Sequence, residues 1–296
     1  MKNEAPVNKV LSEKFFKDYW MKSFYHFKSI QEIEFSSMAI DKILKDQFLE
    51  PRDFMLAKDG QFVSEQLLTS ISSKPMFNRR ERIVDSSKAL KLVKSKNCSL
   101  KIFGVNRWNK TISTEKDKLQ ALTNHYCSAN LYYTPSNGCC FSRHKDGYDI
   151  FIYQVEGSKE WYLGEINEEG EEKKHKDSDT KIILNAGDIL YLPANIAHYA
   201  KCTTDASIHL TFGLHRPDYF SMYEYFLEKL RPKYEKEFEM LPSENSYNKD
   251  ALRNKMSAMQ VELKAMFSQA QAVDEFLNYY LNESISIKDK TPGDSI

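Results

Sequence analysis

The sequence predicts a mainly β chain with added α-helices: short strands in a barrel or sandwich, flanked by an N-terminal helical region and a C-terminal helical extension. From Ser128 onward the apolar runs are short. They end at turn-forming clusters: Thr134-Pro-Ser-Asn-Gly138, Glu156-Gly-Ser158, Asn185-Ala-Gly-Asp188 and Thr203-Thr-Asp205. Many short strands punctuated in this way read as an all-β barrel or sandwich. On both sides of that stretch, apolar residues fall at helical spacing instead. A length of 296 residues with 41% hydrophobic content suits one large domain plus an appendage.

Residues 1 to 50 read as helical. Leu11, Phe15, Tyr19 and Phe16, Trp20 are helically spaced behind Ser12 as an N-cap, and Met38 to Phe48 repeats the pattern. Phe54 to Phe62 reads as a hairpin turning at Asp59-Gly60. Ser86 to Val93 reads as a short helix and Ser99 to Val105 as a strand. Glu115 to Tyr126 reads as an amphipathic helix with Leu119, Leu122 and Tyr126 on one face. Strands are then expected at 129–133, 149–155, 159–163, 180–184, 188–192, 198–202 and 206–214. The polar interval 165–179 reads as an exposed loop that leaves His175 solvated. Asp218 to Leu230 reads as a helix ended by Pro232. Leu252, Met256, Met259, Leu263, Met266, Ala270, Val273, Leu277 and Tyr280 follow at alternating spacings of four and three, a heptad seam. Such a seam serves either a helix-mediated dimer or a long helix laid on its own domain. The last dozen residues read as frayed.

Composition excludes several classes. Lys+Arg and Asp+Glu are equal at 42 each, so no overall charge favours nucleic acid. Ten glycines are few for a glycine-rich phosphate-binding fold. No apolar run follows the first charged residues, and none approaches the roughly 18 residues a membrane helix needs. The five cysteines (98, 127, 139, 140 and 202) lack Cys-x-x-Cys spacing, which suits a reduced, cytoplasmic protein.

The chemistry concentrates between Asn130 and His198. His144-x-Asp146, with His198 ending the run Gly187-Asp-Ile-Leu-Tyr-Leu-Pro193-Ala-Asn-Ile-Ala-His198, has the composition of a two-histidine, one-carboxylate facial triad. That set holds Fe(II) with coordination positions left open. If 144–146 is a strand, its alternate side chains share a face, and His198 arrives from a facing strand. His209 and Thr211 share a face by the same period. Read singly, His209 is more often a core histidine than a ligand, Lys159 is an ordinary strand-edge lysine and Asn130 a satisfied core amide. Cys139 and Cys140 read as buried, inert thiols in preference to a pocket wall or a redox-sensitive pair, and His26, His125 and His215 have no nameable partner.

The run Asn130-Leu-Tyr-Tyr-Thr-Pro135, His144-Lys-Asp-Gly-Tyr-Asp-Ile-Phe-Ile-Tyr-Gln154-Val-Glu-Gly-Ser-Lys159-Glu-Trp161 resembles the JmjC-type cupins, most closely their ribosomal-oxygenase branch. Phe15 to Trp20 and Ala57 to Gly60 resemble that branch's opening helix and hairpin. The resemblance implies a double-stranded β-helix, with a catalytic domain over 1–216 (core about 128–216) and a helical, dimerising extension over 217–296. It implies Fe(II) held by His144, Asp146 and His198, with 2-oxoglutarate and O2 as co-substrates. Lys159 would pair with the distal carboxylate of 2-oxoglutarate. Asn130, Tyr132 and Thr211 would line its pocket, with Tyr148 and Gln154 as further candidates. The implied activity is hydroxylation of an amino-acid side chain in a protein or peptide, by a homodimer that binds neither nucleic acid nor membrane. A hydroxylase of free amino acids and a non-catalytic binding module are the alternatives. Two departures stand out: about 80 residues follow the barrel, too few for the branch's winged helix, and Ala194-Asn-Ile-Ala197 lacks the glycine often found in that turn.

Overall fold

The computed structural model describes residues 6–30, 33, 35, 37–45, 50–58, 61–71, 82–96, 98–139, 141–164, 179–238 and 249–288. Asp59-Gly60, Cys140, His175 with almost all of the 165–179 loop, and most of the last dozen residues lie outside them. The chain divides into two compact units at His215/Arg216.

The first unit opens with α1 (Pro6–Val10) and α2 (Glu13–Asp18), then β1 (Tyr25–Phe27) and α3 (Ser37–Leu44). Ser12 caps α2, its Oγ accepting from the Phe15 N–H at 3.2 Å. Phe15 is buried, its ring 5.5, 5.8 and 5.0 Å from those of Phe27, Phe151 and Tyr191. Next come β2 (Phe54–Lys58), β3 (Gln61–Phe62), β4 (Thr69–Ile71), β5 (Arg82–Val84), α4 (Ser86–Lys96), β6 (Ser99–Ile102) and α5 (Lys110–Thr123). Seven strands follow: β7 (Tyr126–Pro135), β8 (Asp149–Glu156), β9 (Ser158–Gly164), β10 (Thr180–Asn185), β11 (Ile189–Leu192), β12 (Ala197–Cys202) and β13 (Ala206–His215). All seven expected strands form, within a few residues of their expected bounds.

Their pairing makes two antiparallel sheets. The larger has the order β1-β11-β8-β13-β7-β6-β2-β3 and the smaller β10-β9-β12. With helices before and after it, this arrangement is a double-stranded β-helix. Strands β8, β11 and β13 are buried on both faces, which explains their nearly continuous apolar runs. On β8, Phe151, Tyr153 and Val155 join the core under the N-terminal helices. Ile150 and Ile152 join a second core with Trp161 and Leu163 of β9 and Leu184 of β10. Alternation across the pleat sorts one strand into two cores. Gly157, between β8 and β9, has φ +66°, and a Cβ there would lie 2.1 Å from the Ala206 carbonyl oxygen.

Several local expectations are corrected. Residues 25–27 lie in a strand instead of a helix, because β1 covers the edge of β11, pairing Tyr25 with Tyr191. Helix α5 ends at Thr123, with Asn124 left-handed at its C-cap, and Tyr126 begins β7. The buried face of α5 is Ile112, Glu115, Lys116, Leu119 and Thr123, while Leu122 is exposed. The carboxyl of Glu115 is buried, and its Oε1 accepts from the Val7 N–H at 2.7 Å and the Tyr153 hydroxyl at 2.9 Å.

The second unit contains α6 (Tyr219–Phe238), α7 (Lys249–Phe267) and α8 (Ala272–Lys288). Pro232 lies inside α6 and does not end it. It sits on the exposed side, where the Glu228 carbonyl that loses its donor opens to water. The heptad seam is not one helix: it breaks at 268–271, and its two halves fold together. Leu263, Met266, Leu277 and Tyr280 pack around Phe226, Ala272 and Phe276 within this unit. Met256 and Val273 remain exposed, and the side chain of Leu252 lies outside the described residues. Among the described residues no helix is long and apolar enough to cross a membrane.

Burial raises the Glu115 pKa, outweighing the two hydrogen bonds that lower it. A folded value above the unfolded one gives stability that is present below the unfolded pKa and lost as pH rises through the folded pKa. Glu115→Gln keeps an oxygen for both donors and removes the titration. Urea unfolding from about pH 4 to about pH 8 is expected to show the variant gaining stability on wild type as pH rises; parallel curves would refute the charge cost.

Candidate active site

Between the two sheets, β7 and β13 present a ladder of inward-facing pairs: Thr134↔Ser207, Tyr132↔His209, Asn130↔Thr211 and Ser128↔Gly213. The period of two that puts His209 and Thr211 on one face also puts Asn130, Tyr132 and Thr134 there. The facing strands supply Lys159 and Trp161 from β9 and His198 and Ala200 from β12. In register, Trp161 lies opposite Ala200 and Leu163 opposite His198.

His144, Asp146 and His198 converge, with one ligand atom from each within 4.8 Å of the others. The segment carrying the first two is not a strand. His144 makes a single antiparallel bridge to His198, with N···O distances of 3.1 and 2.8 Å. This bridge closes the loop between β7 and β8 onto the start of β12. The Asp146 carbonyl accepts from the Asn195 N–H at 2.8 Å, which fixes the next residue of the loop. Asn195 is left-handed, φ 68°, and so occupies the turn conformation for which glycine is usual. The missing glycine therefore leaves the turn intact.

Both imidazoles are oriented by their own backbone. His144 Nδ1 lies 2.9 Å from the Ser142 carbonyl oxygen, and His198 Nδ1 lies 3.0 Å from that of Ile196. A carbonyl at Nδ1 holds the proton there and leaves Nε2 as a lone-pair donor. His198 Nε2 is 3.7 Å from Asp146 Oδ2. Burial, then the neighbouring His144, pushes the His198 pKa down to about 4. The imidazole is therefore neutral and ligand-competent near pH 7. Two imidazole nitrogens and one carboxylate oxygen suit Fe(II).

From this cluster a narrow cavity of about 50 Å³ runs inward past Tyr132, Trp161, His209 and Thr211 to Lys159. Lys159 is only 1% exposed. Its Nζ donates to Thr134 Oγ1 at 2.8 Å and to His209 Nδ1 at 3.0 Å. Burial, then the charges of Lys159 and Lys101, holds His209 well below the usual imidazole pKa. A neutral imidazole that accepts at Nδ1 carries its proton on Nε2. Its ring stacks on Tyr132, with centroids 4.6 Å apart and planes 2° from parallel. The Trp161 indole N–H, buried in the cavity wall, finds no acceptor among the described residues. A buried ammonium and an unmatched N–H at one end, with metal-type ligands at the other, fit a small anionic chelator.

The remaining candidates separate. Asn130 and Tyr148 line a second cavity of about 150 Å³ on the open side of the cluster, which shares Tyr132, Phe141, His144, Asp146 and Thr211 with the first. Burial, then Asp146, pushes the Tyr148 hydroxyl up to about 12. Gln154 lines neither cavity. Its Nε2 donates to Ser207 Oγ and to the Glu156 carbonyl, bracing the turn after β8. His26 pairs with Asp188 at 3.1 Å, and His215 lies 2.9 Å from Ser128 Oγ, both outside the metal cluster. Sequence reading overlooked Thr134, whose signal was its phase with Asn130 and Tyr132, and also Lys101 and Phe141. It also overlooked Arg143, whose guanidinium grips Asp179 at 2.6 and 2.9 Å, both side chains almost fully buried beside His144.

Asp179→Asn would leave the Arg143 charge buried without its carboxylate, a loss of about 3–5 kcal/mol. Urea denaturation measures it, and a change below about 1 kcal/mol would remove the pair as a support of this loop.

Residues 107–222 match the JmjC domain family. Over 126 residues the chain is 31% identical to the bifunctional lysine-specific demethylase and histidyl-hydroxylase NO66 of Dictyostelium discoideum, covering 38% of this chain and 24% of the relative. Over 147 residues it is 29% identical to ribosomal oxygenase 1 of Gallus gallus, covering 46% of this chain and 24% of the relative. The chain thus spans about a quarter of the length of these curated relatives. A solved structure of YcfD, a ribosomal oxygenase from Escherichia coli in complex with cobalt and 2-oxoglutarate, superposes with a TM-score of 0.60 at 16% identity. The match covers 90% of this chain and 70% of that one.

Proposed function

We infer from the JmjC domain family, to which residues 107–222 of this chain belong, that the protein is an Fe(II)- and 2-oxoglutarate-dependent oxygenase. It hydroxylates an amino-acid side chain in a protein or peptide. One observation carries this reading: the narrow cavity with metal-type ligands at its mouth and the buried Lys159 ammonium at its end. His144, Asp146 and His198 would hold the iron. Iron and 2-oxoglutarate, when bound, supply the oxidising chemistry.

The chain's own residues bind, aim and exclude. Lys159, held by Thr134 and His209, offers its charge to the distal carboxylate of the co-substrate. Tyr132 and His209 stack as one wall of the channel, and Thr211 lines it. The Trp161 ring lines the same cavity, and its N–H is available to an acceptor. The Nδ1 bonds of His144 and His198 keep both Nε2 atoms directed at one point. The relatives named as histidyl-hydroxylases and ribosomal oxygenases support a protein or peptide substrate.

The domain limits follow the same reading, with catalysis in residues 1–216 and assembly in 217–296. We place the protein in the cytoplasm, in keeping with five cysteines that lack Cys-x-x-Cys spacing, and without nucleic-acid or membrane partners. It forms a homodimer through the C-terminal helices. On α6, Tyr219, Phe220, Tyr223 and Leu227 are all exposed at helical spacing, a stripe that a monomer would leave in water.

Anaerobic protein with Fe(II) and 2-oxoglutarate is expected to show the weak visible band of their complex, absent in His144→Ala. No band and no succinate from wild type would sink the oxygenase reading. In Lys159→Ala the 2-oxoglutarate requirement rises about 10–100-fold, the loss of a charge-assisted bond, while iron binding persists. An unchanged requirement would remove Lys159 from the co-substrate site. For the dimer, light scattering of Phe220→Glu/Leu227→Glu should report half the wild-type mass; an unaltered mass would exclude this stripe as the contact.

A further inference from the structure

A run of aromatic rings leads from the metal cluster to the surface. Phe141 lines both cavities. Its ring lies 5.5 Å from that of His144 and 5.9 Å from that of Tyr132, edge-on to each. A further edge-on contact, at 5.9 Å, joins Phe141 to Phe62. Phe62 belongs to β3, which is two residues long and ends the larger sheet. It is 62% exposed. A lone exposed phenylalanine is ordinary and needs no explanation. Phe62 is different because its ring, through Phe141, continues the wall of a ligand-type cavity out to solvent. Apolar surface continuous with such a cavity marks a binding surface.

We propose that Phe62 and Phe141 form an apolar shelf for the substrate peptide, and that the shelf takes a leucine, methionine or phenylalanine two positions from the hydroxylated residue. The proposal rests on the oxygenase reading. Spacing sets the position. An extended peptide advances about 3.3 Å per residue and sends alternate side chains to one face, so same-face neighbours stand about 6–7 Å apart. Each step of the ring run, 5.5 Å from His144 to Phe141 and 5.9 Å from Phe141 to Phe62, is close to that interval. A target side chain directed at His144 and Asp146 therefore carries its same-face neighbour to Phe141, with Phe62 beside it. Chemistry sets the class. The phenylalanine rings offer no conventional hydrogen bond, so a carboxylate or amide would lose water there without compensation. One face of Phe141 is already taken by the Lys101 ammonium at 5.2 Å, which removes that face from a cation of the substrate. An apolar side chain gains by burial, and methionine adds a sulfur–aromatic contact.

The test uses the full chain with 2-oxoglutarate and with Mn(II) in place of iron, so that no turnover intervenes. The probe is a pool of capped peptides about seven residues long on an alanine background. Their central residue is randomised, and the positions two before and two after it carry Gly, Leu, Met, Phe, Glu or Lys. Peptides retained with the protein on ultrafiltration are sequenced by mass spectrometry. Leu, Met and Phe are expected to be enriched about tenfold over Gly, Glu and Lys at one of the two positions, the effect of partly burying one apolar side chain. Phe62→Ser should flatten that preference, Phe62→Leu should keep it and Phe62→Lys should exchange it for Glu, with thermal unfolding confirming that all three variants fold. A preference that survives Phe62→Ser, a pool without preference, or enrichment of Glu or Lys by wild type would overturn the proposal. So would a change of oligomeric mass in Phe62→Ser, which would make the shelf a contact between copies of this chain. 2-Oxoglutarate binding to wild type, measured first by calorimetry, separates the two claims. If it is absent, the oxygenase reading falls with the proposal; if it is present with the wrong peptide preference, the proposal falls alone.

Discussion

The two-way backbone bridge between His144 and His198 is the constraint on which the site depends. Their amides and carbonyls pair at 3.1 and 2.8 Å, so two metal-type ligands 54 positions apart become neighbours through backbone geometry alone. Each imidazole is then turned by a carbonyl two residues behind it. Asp146 is tied in through Asn195, in the turn that leads to His198. The ligand geometry is inherited from this one backbone bridge at the start of β12.

Around that bridge, three of the buried charges are handled differently. Lys159 donates to Thr134 and His209 at the inner end of the narrow cavity. Arg143 is matched at once by Asp179, which makes it structural. Glu115 accepts two hydrogen bonds and still suffers a raised pKa, so it charges the fold a cost near neutral pH. The contrast is one of place: the Arg143–Asp179 pair supports the loop, while Lys159 lines the cavity that opens at the metal-type ligands.

Much of the barrel was legible because its strands are short, apolar and punctuated by Gly, Asn, Asp and Pro. The phase of Asn130, Tyr132, His209 and Thr211 followed from the period of two. Elsewhere local pattern misled. Tyr25 to Phe27 looks helical in isolation, and only the open edge of β11 makes it a strand. Pro232 reads as a stop, but it lies where water can satisfy the freed carbonyl. The heptad spacing from Met256 to Tyr280 is real, yet it belongs to two helices that pack on Phe226. Periodicity records which residues want burial and does not record against what.

By itself, the sequence determined the strand inventory, the His-x-Asp and distal His set, and the alternation that turns one face of β7 and β13 inward. These follow from side-chain period and turn chemistry, which act over a few residues. Tertiary structure alone decided that Arg143 is paired, that Gln154 braces a turn, and that Asn130 faces a different cavity from Lys159. It alone brought Lys101 of β6 to the metal cluster. Those outcomes depend on which strands become neighbours, and pairing between distant segments is set by the whole core.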